Sequence, residues 1–176
     1  MIANKFINIL YEEDVEIKIQ KLLKKNIKCP IEELGINISK KDNSIDLYKL
    51  LVFSTLAGAR IQYSIALKTA KSLFMNGFDT PEKFIKTTWK EKVLILNKAG
   101  YARYDEKTSR YLYDMSQQVF YNYSGDLNIL RIKANKNPTM ERFLLKDLKG
   151  VGDTTINLFF RDVQLVWKEL VPFMDA

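Results

Sequence analysis

Along most of this chain the apolar residues recur every three or four positions, and no stretch alternates polar and apolar residues long enough to make a strand. An α-helix turns once per 3.6 residues, whereas a strand flips its side chain at every step. The period therefore predicts an all-α fold. From Asp14, the residues Val15, Ile17, Ile19, Leu22 and Leu23 sit among Lys18, Lys21, Lys24 and Lys25, which predicts an amphipathic helix with a basic, solvated outer face. Residues 35–46, GINISKKDNSID, read as a polar break. Helical pattern resumes at Leu47–Phe53 and, after the small residues of LAGAR, from Ile61 through Ile65, Thr69 and Leu73 to Phe74. Ala57, Gly58 and Ala59 between them would let another element approach the backbone closely.

Local signals punctuate the second half. Thr80-Pro81 is an N-cap followed by a first-turn proline and predicts a short helix through Ile85. Thr88 opens another through Leu96, and Gly100 ends it. The run GYARYDEKTSRYLYDMSQQVFYNY then predicts a long helix rich in tyrosine, stopped by Gly125. Tyr111 and Tyr113 cannot share a face of that helix, so one of them is expected in the core. Asn137-Pro138 starts a helix to about Asp147, and a last one is expected from Thr154 to about Trp167. There is no fixed-period repeat. The expected organisation is one domain over 1–176, with an N-terminal helical region 1–46, a helical core 47–135 and a final helical pair 137–168.

Composition narrows the chemistry. The 176 residues carry a formal net charge of +7, which favours a polyanionic partner. There is no His and one Cys, Cys29. That excludes a Ser-His-Asp triad, a Cys-His pair, a His-ligated zinc and a cysteine-held iron–sulfur cluster. A lone cysteine makes no internal disulfide, which suits a reducing compartment, and Cys29 reads as inert packing. The N-terminus meets Glu12, Glu13 and Asp14 before any apolar run long enough for a signal peptide, and no segment approaches the length of a membrane span. The expectation is a soluble, intracellular protein with no membrane partner.

The stretch LKGVGDTTINLFFRDV, Leu148–Val163, is the most specific in the sequence. A helix ending near Asp147 needs a left-handed stop, which glycine supplies without a Cβ penalty. Val151, between Gly150 and Gly152, is placed to point inward and pin two helices together. A new helix after Gly152 would turn unpaired N–H groups and the positive end of its dipole outward, forming a phosphate site that carries no base information. Behind it, Ile156, Phe159, Phe160, Val163 and Trp167 define a core face. GVG alone would fit a plain interhelical corner equally well.

Taken with LVFSTLAGARIQYSIALKTAKSLF, KAGYARYDEKTSRYL, YSGDL and PFMD, the hairpin makes residues 47–175 resemble the helix-hairpin-helix–GPD superfamily of endonuclease III-like base-excision DNA glycosylases. ARYDEKT, INLFFRDVQLVW and PFMD are most similar to a small branch without an iron–sulfur cluster. The resemblance implies a two-lobed helical fold, a monomer acting on double-stranded DNA and a catalytic carboxylate at Asp175, a few residues further from the hairpin than in endonuclease III. Such a carboxylate would stabilise oxocarbenium character on the sugar of a flipped nucleotide and orient water. Near a chain terminus it needs Pro172 and Phe173 to dock on the core.

Thr154 stands where bifunctional relatives carry a Schiff-base lysine, so the implied activity is monofunctional hydrolysis of the N-glycosidic bond. Lys149 replaces a usual proline and suits phosphate contact. Arg60 falls where relatives fill the gap left by a flipped nucleotide; an ordinary surface arginine is the other reading. The resemblance also implies a monovalent cation, Na or K, on the backbone carbonyls of Lys146, Leu148 and Val151. Tyr101, Arg103 and Tyr104 form an aromatic–basic cluster suited to stacking and phosphate contact. Two rival readings stay open: a non-catalytic DNA-binding protein of the same fold, and a helical interaction module whose GVG is only a corner.

Overall fold

Capping chemistry written in the sequence sets where several helices begin. The Thr80 side chain accepts the Lys83 N–H with Pro81 at the first helical position, and Asn137 accepts the N–H groups of Thr139 and Met140 ahead of Pro138. Thr88 and Glu91 form a reciprocal capping box, satisfying two helix-end donors at once. In this computed structural model, residues 30–173 are described. The expected basic helix from Asp14, Cys29 and Asp175 lie outside them.

In chain order the helices are α1 (Pro30–Glu33), α2 (Ser44–Ala57), α3 (Tyr63–Met75), α4 (Pro81–Lys86), α5 (Trp89–Lys98), α6 (Asp105–Tyr123), α7 (Leu127–Lys133), α8 (Pro138–Lys146) and α9 (Asp153–Val163), followed by a 3-10 turn at Lys168–Leu170. The fold is all-α, with no strand among the described residues. Nor is any helix among them long and apolar enough to cross a membrane.

The central element is α2. Leu47, Tyr48, Leu50, Leu51, Val52, Phe53 and Leu56 are all buried, so it is apolar nearly all round, the mark of a helix enclosed by others. It packs against α3, α7 and α9. The Tyr48 hydroxyl shares a 2.7 Å hydrogen bond with Ser116 of α6, giving the buried phenol a polar partner. Ile156, Phe159, Phe160, Val163 and Trp167 are all core residues, as their spacing predicted.

Several expectations need correction. Residues 35–46 are not simply a polar break: Ile36 and Ile38 are buried, and α2 already starts at Ser44. Two isolated isoleucines in a loop are too few to register as a periodic pattern. Helix α7 was not anticipated; it spans seven residues, and its N-cap, Asp126, reads as part of the YSGDL loop. The tyrosine-rich helix starts at Asp105 rather than at the glycine, leaving Tyr101–Tyr104 as a turn. Neither Tyr111 nor Tyr113 is in the core; Leu112 between them points inward and both tyrosines are half-buried. Helix α9 ends at Val163, and Trp167 stays in the core because its N–H returns to the Val163 carbonyl at 2.9 Å.

Candidate nucleic-acid interface

The hairpin between α8 and α9 is built as its glycines demand, but the two glycines do different work. Gly150 has φ +81°, the left-handed turn, and a Cβ there would lie 2.8 Å from the Tyr111 Cβ. Gly152 is the N-cap of α9 in an extended conformation, φ −105°, and a Cβ on it would meet nothing within 4 Å. The fold requires Gly150; it does not require Gly152. Val151 is buried, and its N–H closes the turn onto the Leu148 carbonyl at 3.1 Å.

Helix α9 therefore opens with no side-chain cap. Its first N–H groups have no partner inside the helix, and with the dipole they present partial positive charge. Gly58 sets the position of that end: a Cβ there would sit 2.7 Å from the Thr155 Oγ1 and 3.3 Å from the Thr155 nitrogen. The small residues of LAGAR thus admit the first turn of α9.

Three segments remote in sequence line one cleft of about 350 Å³: Thr55 to Arg60 from the end of α2, Tyr101 to Tyr111 from the α5–α6 turn and α6, and Gly150 to Thr155 from the hairpin. Of the residues singled out in the sequence, Arg60, Tyr101, Tyr104, Gly150, Gly152 and Thr154 are on its wall. Arg60 is exposed. Tyr104 is half-buried, with the Arg103 guanidinium 5.2 Å from its ring centre. Arg103 itself is exposed and off the wall, so it adds charge beside Tyr104.

Tyr101 departs from its expected role. It is fully buried, and its hydroxyl donates to the Leu56 carbonyl at 3.3 Å. Burial pushes the phenol above its usual pKa, so it is a neutral floor for the cleft and offers no exposed stacking face. Lys149 is exposed, but its backbone N–H is committed to the Gln118 Oε1 at 2.7 Å, leaving only the ammonium for a phosphate.

Two residues escaped the sequence reading. Gln118 of α6 brackets the hairpin, accepting from Lys149 and donating to the Asp147 carbonyl at 3.1 Å. No local pattern marks a glutamine whose partners lie about thirty residues away. Lys107 lines the cleft with its ammonium 5.4 Å from the Tyr111 ring centre. It sits in the ARYDEKT run, in the first turn of α6 four residues beyond Arg103, so the basic residues of that run were the signal that could have found it.

Asp153 is the carboxylate on the described wall. It is bound by the Lys146 ammonium at 2.8 Å, with Arg142 at 3.6 Å, and the Lys146 hydrogen bond lowers its pKa. Phe173, which leads into the end of the chain, docks edge-on against Phe160 at 5.5 Å and donates its N–H to the Gln164 Oε1 at 2.9 Å; Pro172 is exposed. For a cation on the hairpin carbonyls, Leu148 already accepts one hydrogen bond, and a carbonyl has a second lone pair for a metal. No cluster of three or more His, Cys, Asp or Glu residues suited to a metal occurs among the described residues. No protein-family model matches the chain, and it matches neither a curated protein nor a solved structure.

Proposed function

We propose that this chain is a double-stranded DNA-binding protein of the two-lobed helix-hairpin-helix–GPD type, acting in base-excision repair as a monofunctional DNA glycosylase. The observation that carries the reading is the convergence of the three segments on one cleft, with the uncapped end of α9 and the cations of Arg60 and Lys107 on its wall. Its volume is within the range of about 300–1,000 Å³ common to small-molecule sites. The first N–H groups of α9 and the Lys149 ammonium grip the strand by its phosphates. Arg60 occupies the gap left by the flipped nucleotide, and Tyr104 stacks beside it. Thr55, Tyr101 and Thr108 line the interior that receives a base. Thr154 offers no amine, so the product is an abasic site, and Asp175 supplies the carboxylate that stabilises the sugar cation and orients water. A Na or K ion on the Lys146, Leu148 and Val151 carbonyls would stiffen the hairpin.

A non-catalytic DNA-binding protein is the second reading. It is favoured by the commitment of Asp153 to ion pairs. End-labelled duplexes, each bearing one damaged or mismatched base, separate the two. Alkali-dependent cleavage by the wild type and none by Asp175→Asn is the expected result. Binding without cleavage on every duplex would establish the non-catalytic reading. Strand cleavage without alkali would overturn the monofunctional assignment, and its loss in Lys107→Ala would identify the amine.

A further inference from the structure

Away from the cleft, a buried charged group has no visible means of being ionised. Glu141 of α8 is fully buried, and no hydrogen-bond donor reaches either of its carboxyl oxygens. The group it meets is another acceptor, the carboxylate of Glu169 in the 3-10 turn. Arg131 of α7, the cation beside them among the described residues, is committed to Glu169 through two parallel hydrogen bonds, the second at 2.6 Å. The Arg131 guanidinium also lies 5.7 Å from the ring centre of Trp167, whose indole N–H is buried without an acceptor. From α9, the charged groups are engaged elsewhere, Asp153 with Lys146 and Arg142, and Arg161 with Asp162. Two carboxylates facing each other, one of them fully buried, resist being charged together, and only Glu169 has a cation in fork geometry.

We propose that Glu141 is held as the neutral acid and donates its hydrogen bond to Glu169, so that Glu141, Glu169 and Arg131 form a pH-sensitive latch fastening the segment from Trp167 to Phe173 onto α8. A proton resolves the acceptor-to-acceptor contact and lets Glu169 keep its pairing with Arg131. The latch joins the consecutive helices α7 and α8 to the 3-10 turn that follows α9.

The electrostatics agree in sign. Burial, then the contact with Glu169, pushes the Glu141 carboxyl up to about 8. The Arg131 hydrogen bond pulls Glu169 down to about 2. An acid whose pKa is raised on folding contributes stability that is full below its unfolded value and is lost as pH rises through its folded value. For Glu141 that loss runs from the ordinary glutamate range up through about 8. The Glu169 contribution has the opposite sense: it is present above the ordinary range and is lost only as pH falls towards about 2. Of this pair, Glu141 sets the slope between these limits. In mild alkali it must ionise against Glu169 with no donor to receive it, which strains the attachment of the 3-10 segment to α8.

Hydrogen exchange tests this on the full chain. The Leu170 and Val171 amides donate to the Trp167 and Lys168 carbonyls at 3.1 and 3.2 Å, so protection of this segment reports the latch. In the wild type, protection from Trp167 to Phe173 should drop roughly tenfold or more between about pH 6 and pH 9, beyond the intrinsic acceleration by base. In Glu141→Gln, whose amide donates to Glu169 at every pH, protection should stay level. Equal pH dependence in both proteins would overturn the proposal. Should the variant fail to fold, infrared spectroscopy of the wild type decides. A carbonyl band of a buried protonated carboxylic acid, present at neutral pH and bleached in alkali, supports the latch, and its absence at neutral pH sinks it.

Discussion

Gly150 and Gly152 flank Val151 in one motif, yet they respond to different pressures. Gly150 is demanded by backbone and packing: its φ is +81°, and a methyl group would press on the Tyr111 Cβ at 2.8 Å. Gly150→Ala should cost about 2–4 kcal/mol, adding the left-handed penalty to overpacking, as read from urea denaturation. Gly152 meets neither demand. Gly152→Ser would supply the missing N-cap and should leave stability unchanged or raise it by up to about 1 kcal/mol. Its hydroxyl would also occupy the N–H groups proposed to hold phosphate, so affinity for duplex DNA should fall. Undiminished binding by this variant would remove α9 from the interface. The sequence told both glycines apart from their neighbours but not from each other, because the difference lies in Tyr111, some forty residues away.

At the scale of elements, caps and faces were legible and contacts were not. Thr80, Thr88 and Asn137 act on N–H groups two or three residues ahead, so the signal and its effect share one window of sequence. The apolar stripe of α9 needed only its own spacing. Helix α7 was missed because two turns are too short for a period to stand out. The clamp by Gln118 shows the opposite limit, since its partners are the backbone of Asp147 and Lys149. Gln118→Leu removes both hydrogen bonds and should cost about 1–2 kcal/mol. It should also speed exchange at the Lys149 amide. An unchanged exchange rate at Lys149, with the fold intact, would show that the hairpin holds itself without α6.

For the whole molecule, the net charge of +7 says only that a polyanion is favoured; where it would bind depends on the fold. Arg60 and Lys107 reach one cleft from α2 and α6. If each meets a phosphate, log affinity for a plain duplex should fall linearly with log salt, and replacing either by Ala should reduce the slope by about 0.9. A titration in which neither replacement alters the slope would place the DNA on another face.

Much of what acts over a few residues can be read from the sequence: the helical period, the caps at Thr80, Thr88 and Asn137, a left-handed glycine in the hairpin and the inward face of α9. These are local because backbone geometry and N-terminal hydrogen bonding are settled within a turn or two. Tertiary structure alone decided that Tyr101 forms a buried floor, that Gly58 receives Thr155, that Gln118 holds the hairpin and that Glu141 is sealed against Glu169. Each depends on which distant residue the assembled fold brings alongside, and for Tyr101 and Glu141 that neighbourhood also excludes water, a property no single window of sequence contains.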